Sequence, residues 1–354
     1  MSAALHGGDV YGLARELGIA ERKVMDFSAS INPLGLSPKI KAEMRTYLKF
    51  LPNYPDPACT RLVKHLSKHL TVGEENLIAG NGSTELIYLV VRAFKPSSAL
   101  VVAPAFSEYE RALRVNGVED VHFLSLSEDK GFALDPVEFA HSMKGRSMAF
   151  LCNPDNPTAR TLERDTLTYL AAEARKVNCL LVVDEAFVDF VPEVSIATGP
   201  VDNPMLIVLR SLTKFYAMSG IRLGMAIVHG SHRETLLKYK EPWSVNTLAQ
   251  RAGVVAINDT HYAGETFKCL KLQKSSMESW LRRNGIFFYP SKINFYLVRD
   301  GRCPKFYRQL SKKGILLRDC SNYRGLDNRF LRIAVKSHRE NRALFRAMAY
   351  LLQN

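Results

Sequence analysis

The sequence predicts an α/β protein built from a large, mostly parallel sheet sandwiched by helices and a smaller α+β domain. Three observations predict it. Strand-length runs between residues 99 and 209 are almost wholly apolar, as strands buried on both faces of a parallel sheet must be. Amphipathic stretches of helical spacing separate those runs. The final third changes character, with short mixed strands lying between two helical regions. A chain of 354 residues that is 47% hydrophobic can bury a large core and favours two domains over one.

Taken in order, residues 1–40 are loop-rich, because His6-Gly7-Gly8 and the stretch 28–38 interrupt any long helix. This segment is expected to join the small domain and the active site. Residues 41–245 are expected to form the large domain. Its strands are read at 99–103, 148–152, 179–183 and 205–209, and its helices from Leu86, Leu89, Val90 and Phe94 and from Leu167, Leu170, Ala171 and Ala174. Residues 246–354 are expected to form the small domain. They comprise a helical region over 246–284, strands at 285–289, 294–298, 315–318 and 331–335, and a closing helix over 338–353.

Composition narrows the function. No uncharged apolar run approaches the roughly 18 residues a membrane span needs. The first ten residues lack the basic start and apolar centre of a secretory signal. Six cysteines (Cys59, Cys152, Cys179, Cys269, Cys303, Cys320) are scattered without a C-x-x-C pair, which argues against structural zinc and against a disulfide framework. A cytoplasmic location is expected, with no metal. The net charge of +13 raises nucleic acid as a partner. The basic residues are spread along the chain, however, so no nucleic acid is expected and a small anionic substrate fits as well.

Ligands of open α/β sheets gather beyond the carboxyl ends of the strands. Asp184 ends one apolar run, and Lys214 lies just beyond another, in Ser211-Leu-Thr-Lys214. Asn153-Pro-Asp-Asn156-Pro-Thr158 follows a third. Gly80-Asn-Gly-Ser83-Thr84-Glu85 opens a helix whose first N–H groups and two hydroxyls suit one anion. Singly these are ordinary: a capped helix, a strand-end carboxylate, a solvated lysine.

Together and in this order they resemble the fold-type-I pyridoxal-phosphate enzymes of the class I/II aminotransferase family, over nearly the whole chain. The resemblance implies that Lys214 carries pyridoxal 5′-phosphate covalently and moves protons, and that Asp184 pairs with the ring nitrogen. Asn156 would bond the ring oxygen, and Tyr109 would stack on the ring face. Ser83, Thr84, Ser211, Thr213 and Arg222 would hold the cofactor phosphate. Tyr54 would reach it from a neighbouring subunit, implying a homodimer with shared sites. Arg332 matches the arginine that clamps an amino-acid carboxylate, a task suited to its bidentate fork. Taken alone, it is equally a strand residue in a surface ion pair.

Within the family two activities compete: decarboxylation of O-phospho-L-threonine for the cobalamin side chain, and transamination of histidinol phosphate. The N-terminal text His6-Gly-Gly8-Asp and 26–35, the text 209–216 with 242–246, and Phe187 where the aminotransferases carry tyrosine all resemble the decarboxylases. The substrate phosphate is then expected at His6, Ser28, Asn32, Arg318 and Tyr323, with Ser30 and Asn156 also facing substrate. Ser30, Asp155 and Ala159 depart from the family's asparagine, asparagine and glycine. Because of Ser30, O-phospho-L-serine stays open, since one methyl is worth only about 1–3 kcal/mol of discrimination. A non-catalytic protein using the same fold is the reading from a different class.

Overall fold

A computed structural model describes residues 6–353. Seven strands form the large sheet in the spatial order Leu77–Gly80, Gly224–Ile227, Leu206–Ser211, Leu180–Glu185, Met148–Cys152, Ser98–Ala103, Asp120–Ser125. The last five run parallel, and Gly224–Ile227 is antiparallel to both of its neighbours. Every residue of the four strands from Leu206–Ser211 to Ser98–Ala103 is buried, which is why they carry no polar alternation.

Successive side chains of each strand serve different cores. Leu181 and Val183 pack with the helix Arg164–Lys176, whereas Leu180 and Val182 pack with Gly82–Phe94 on the opposite face. A fully buried leucine such as Leu86 or Leu167 contributes about 1.5–3 kcal/mol relative to exposure.

Three strands of the large sheet escaped the sequence reading. Leu77–Gly80 and Gly224–Ile227 have only four residues each and contain glycine. Asp120–Ser125 lies at the sheet's edge, where its charged and polar residues meet solvent. The single helical region expected over 246–284 is in fact two helices, Thr247–Asn258 and Thr260–Arg283. Asp259 separates them: its carboxylate accepts from Tyr262 N and is held by Ser37 Oγ at 2.8 Å and Lys39 Nζ at 2.9 Å.

The small sheet is antiparallel, in the order Arg318–Asp319, Phe330–Ala334, Phe295–Arg299, Phe287–Phe288. The N-terminal segment contributes the strand Met25–Asp26, which pairs in parallel with Ile315–Leu316. From there Phe27 O accepts from Ala334 N at 3.0 Å, and Asn32 N donates to Lys214 O at 3.0 Å. Residues 27–32 therefore bridge the small sheet to the carboxyl edge of the large one. Among the described residues no helix is long and apolar enough to cross a membrane.

Candidate active site

Strand register brings the chemistry to one edge. Asp184 is level with Cys152 and Leu209, while Ser211 and Gly80 both lie opposite Gly224. A cavity of about 180 Å³ opens at this edge. Lys214, Asp184, Asn156, Ser83, Thr84, Tyr109, Ser211, Thr213 and Arg222 line it, joined from the small-domain side by His6, Ser30, Tyr323 and Arg332.

The Lys214 amine is pulled down to about 8, first by burial and then by the positive charges of Arg332 and Arg222. It therefore sits closer to its neutral, nucleophilic form at physiological pH than an ordinary lysine does. Asp184 is 3% exposed and accepts from Tyr109 Oη at 2.7 Å and Ala186 N at 2.9 Å. Burial raises its carboxyl pKa, against the opposing pull of those two donors and of Lys214.

At the other end, the helix Gly82–Phe94 points its first turn into the cavity. Space there is tight. A Cβ on Gly82, whose φ is +80°, would stand 2.4 Å from Arg222 Nη2, and one on Gly224 would stand 2.5 Å from Ser83 N. Both glycines are required for backbone and guanidinium to approach so closely. Ser211 Oγ and Thr213 Oγ1 share a hydrogen bond of 2.7 Å beside them.

Arg222 and Asp184 both line the cavity without an ion pair among the described residues. Among the described residues, Arg222 has no carboxylate partner; Nη1 donates to Ser219 O at 3.2 Å. Burial lowers its pKa. Asp184 likewise has no ion pair within 4 Å among those residues. A ligand carrying an anion at one end and a cationic ring nitrogen at the other would satisfy both ends. Pyridoxal phosphate is such a ligand, so the residues present fit it.

From the small-domain side, Arg332 donates through Nη1 to Asn156 Oδ1 and through Nη2 to Ser28 O at 2.6 Å. These bonds fix its fork and leave the Asn156 amide free to donate. The Phe295 ring lies 5.1 Å from its guanidinium. Arg332 is 6% exposed, which excludes a surface ion pair. Ser30 Oγ is buried at the cavity with no hydrogen-bond partner among the described residues.

Several expected roles change. Tyr109 is committed elsewhere: its hydroxyl donates to Asp184, and one face of its ring stacks on Phe150 at 5.1 Å and 12°. Phe106, three residues earlier, lines the cavity with its edge to Tyr109 and was passed over in the sequence. Ser28 does not line the cavity. Its hydroxyl accepts from Gly8 N at 2.7 Å and donates to Asp26 Oδ1 at 2.6 Å, and its carbonyl orients Arg332. Asn32 is likewise withdrawn: its amide donates to Phe215 O and Thr266 Oγ1, both at 2.7 Å, stapling the backbone that carries Lys214. Arg318 lines a neighbouring cavity of about 330 Å³, which shares Phe106 and Tyr323 with the first. Its guanidinium lies 4.9 Å from the Tyr323 ring. Tyr54 is 81% exposed against Trp243, outside this chain's own cavity.

The departures Asp155 and Ala159 also have consequences. Asp155 is buried and accepts from Thr158 N and Oγ1, and burial lifts its carboxyl to about 6. Ala159 has a φ of 61°, the left-handed region that favours glycine.

Comparison with known proteins follows this geometry. The model of the family "Aminotransferase class I and II" matches residues 22–348. The chain is 36% identical to a threonine-phosphate decarboxylase from Salmonella typhimurium, covering 98% of this chain and 96% of that protein. The crystal structure of L-threonine-O-3-phosphate decarboxylase from Porphyromonas gingivalis superposes with a TM-score of 0.82 at 25% identity, covering 94% of this chain and all of that one. Histidinol-phosphate aminotransferase from Clostridium acetobutylicum superposes with a TM-score of 0.87 at 28% identity, with the same coverage.

Proposed function

The chain belongs to the class I and II aminotransferase family of pyridoxal-phosphate enzymes, and on that premise we propose that it decarboxylates O-phospho-L-threonine. The product would be (R)-1-amino-2-propanol O-2-phosphate, the precursor of the cobalamin side chain. The observation that carries the chemistry is Lys214: a buried amine drawn down to about 8, in a cavity with a carboxylate at one end and a guanidinium at the other. The 36% identity to a threonine-phosphate decarboxylase over nearly the full chain favours decarboxylation over transamination. Phe187 agrees with it, since it lines the cavity with its ring against Phe295 and offers no hydroxyl to a cofactor oxygen.

Bound pyridoxal phosphate supplies the electron sink for the bond broken at the substrate's α-carbon. The chain's own residues do the rest. Ser83, Thr84, Ser211, Thr213, Arg222 and the first turn of Gly82–Phe94 take the cofactor phosphate. Asp184, held by Tyr109, favours a protonated ring nitrogen. Arg332, fixed by Asn156 and Ser28, receives the substrate carboxylate in a bidentate grip. Lys214 holds the proton that replaces carbon dioxide at the α-carbon. The substrate phosphate is assigned to His6 and Tyr323, with Arg318 approaching through the adjoining cavity. Ser30 leaves O-phospho-L-serine, with ethanolamine phosphate as product, as a second substrate of the same site.

A homodimer is part of the proposal. Tyr54 and Trp243 form an exposed aromatic pair, and Leu48, Phe50 and Leu51 are also exposed, an arrangement suited to a second copy.

The test is carbon dioxide release from O-phospho-L-threonine by the cofactor-loaded protein, with no 2-oxo acid supplied. Sustained release is expected, and O-phospho-L-serine run in parallel ranks the substrates. Absence of release, with activity appearing on histidinol phosphate plus 2-oxoglutarate, would replace the proposal with transamination.

A further inference from the structure

Beside the cavity stands a buried carboxylate that the chemistry above does not use. Glu108 opens the helix Glu108–Val115 and is 4% exposed. One oxygen accepts from His6 Nε2 at 2.8 Å, and the other from Tyr88 Oη at 2.7 Å. Arg111, one turn along the helix, stands 3.6 Å from the first oxygen. Two of these neighbours belong to the helices flanking the sheet. The third, His6, belongs to the N-terminal segment, and its side chain is 40% exposed.

A carboxylate only accepts, so the His6 nitrogen facing it must carry a proton. That fixes the ring's orientation and leaves Nδ1 as the atom available to a ligand; it has no hydrogen bond among the described residues. The ring is also held 5.5 Å from Phe106, which lines the cavity. The backbone next to it is fixed as well: Gly8 N donates to Ser28 Oγ, and a Cβ on Gly7 would lie 2.3 Å from Ser28 O. The segment is therefore seated on the same serine that orients Arg332.

We propose that Glu108 is the positioning residue for His6, and that the pair sets selectivity for a phosphorylated substrate over its unphosphorylated counterpart. This rests on the reading above that His6 meets the substrate phosphate. The argument turns on charge. A bare carboxylate beside a phosphate site repels the ligand, whereas a carboxylate that accepts from His6 Nε2 is shielded and leaves Nδ1 open to the ligand, to which it donates when both ring nitrogens carry protons. The sign of Glu108's contribution thus depends on His6.

The sign gives the experiment. Dissociation constants for O-phospho-L-threonine and L-threonine are measured on the holoenzyme by the change in cofactor absorbance, for wild type, Glu108→Ala, Glu108→Gln, His6→Ala and the double variant His6→Ala/Glu108→Ala. Glu108→Ala is expected to weaken phosphothreonine binding about tenfold or more, while the threonine constant, the unliganded cofactor spectrum and the melting temperature stay near wild type. Glu108→Gln, which still accepts from His6, is expected to recover most of the loss. With His6 already removed, Glu108→Ala is expected to leave phosphothreonine binding unchanged or to tighten it. A similar loss in both backgrounds, an equal loss for threonine, or no loss in the single variant would each overturn the proposal. Because binding is read from the initial absorbance change, before product accumulates, a wild type that binds phosphothreonine yet releases no carbon dioxide would fail the decarboxylase assignment while leaving this test intact.

Discussion

Two half-buried lysines of this molecule share a depressed pKa and little else. Lys214 and Lys274 are both drawn down to about 8, in each case chiefly by burial. Lys274 spends its donors on Ser291 O at 2.6 Å and Ile293 O at 2.8 Å, with the Tyr296 ring 5.4 Å away. It ties the long helix Thr260–Arg283 to the loop that enters the strand Phe295–Arg299. Lys214 lines a cavity, faces two arginines, and has no hydrogen bond from its amine among the described residues. A shifted pKa marks burial in both regions. What separates a reactive amine from a structural one is whether its donors are already committed.

The largest effect should come from Lys214→Ala. Turnover and the visible absorbance of the bound cofactor should both vanish while the fold survives; a retained absorbance band would transfer the role to another lysine. Cofactor capture by the apoprotein sharpens the point. With its pKa at about 8, Lys214 is about 10% neutral at pH 7, against about 0.03% for an ordinary lysine. The capture rate should rise roughly tenfold per pH unit below 8 and level off above it; a rise continuing to pH 10 would show an unperturbed amine.

Asp155 offers a third ionisable group shifted by burial, next to Asn156, which lines the cavity. Its folded pKa of about 6 lies above the usual 3.8, so the folded state holds the proton more tightly than the unfolded chain does. Its contribution is therefore fully present below pH 3.8 and is lost as the pH rises through 6, by about 3 kcal/mol in all. Asp155→Asn should remove that decline, read as the difference between wild-type and variant melting curves from pH 4 to 7. Parallel curves would mean the carboxylate is not buried as described.

The smallest effect is expected at Lys274. Lys274→Met should cost about 1–3 kcal/mol by removing the lysine donor from Ser291 O and leaving Ile293 O with Ser291 Oγ alone, with kcat within about twofold of wild type. Its pKa is lowered in the fold, so the wild type should gain stability as the pH rises from 8 to 10.5, and the variant should not. A large loss of kcat would erase the distinction between the two lysines.

The sequence was legible where burial leaves a one-sided signature. Wholly apolar strands announced the parallel core, and the residues at their tips announced the cavity. Asp120–Ser125 was silent because an edge strand keeps polar residues. Polar residues in the N-terminal segment were legible only as candidates. Ser28 and Asn32 read like ligand contacts, and only their hydrogen bonds show that they hold Arg332 and the Lys214 backbone instead. Phe106 and Tyr109 are three residues apart at a helix start, so their division of labour depends on the turn between them, which spacing does not reveal.

The pairing of Met25–Asp26 with Ile315–Leu316 has a consequence for the order of events in synthesis. The segment bearing His6 and Ser28 leaves the ribosome well before the strands that seat it and Arg332 itself, which follow about 290 residues later. The large sheet, complete by Ile227, can form while both ends of the chain are still unpaired. The site is then finished by joining partners about 290 residues apart, a closure whose entropy cost falls at the end of folding. Catalytic competence should therefore lag behind the appearance of compact, helical protein, and the lag measures the docking of residues 6–32.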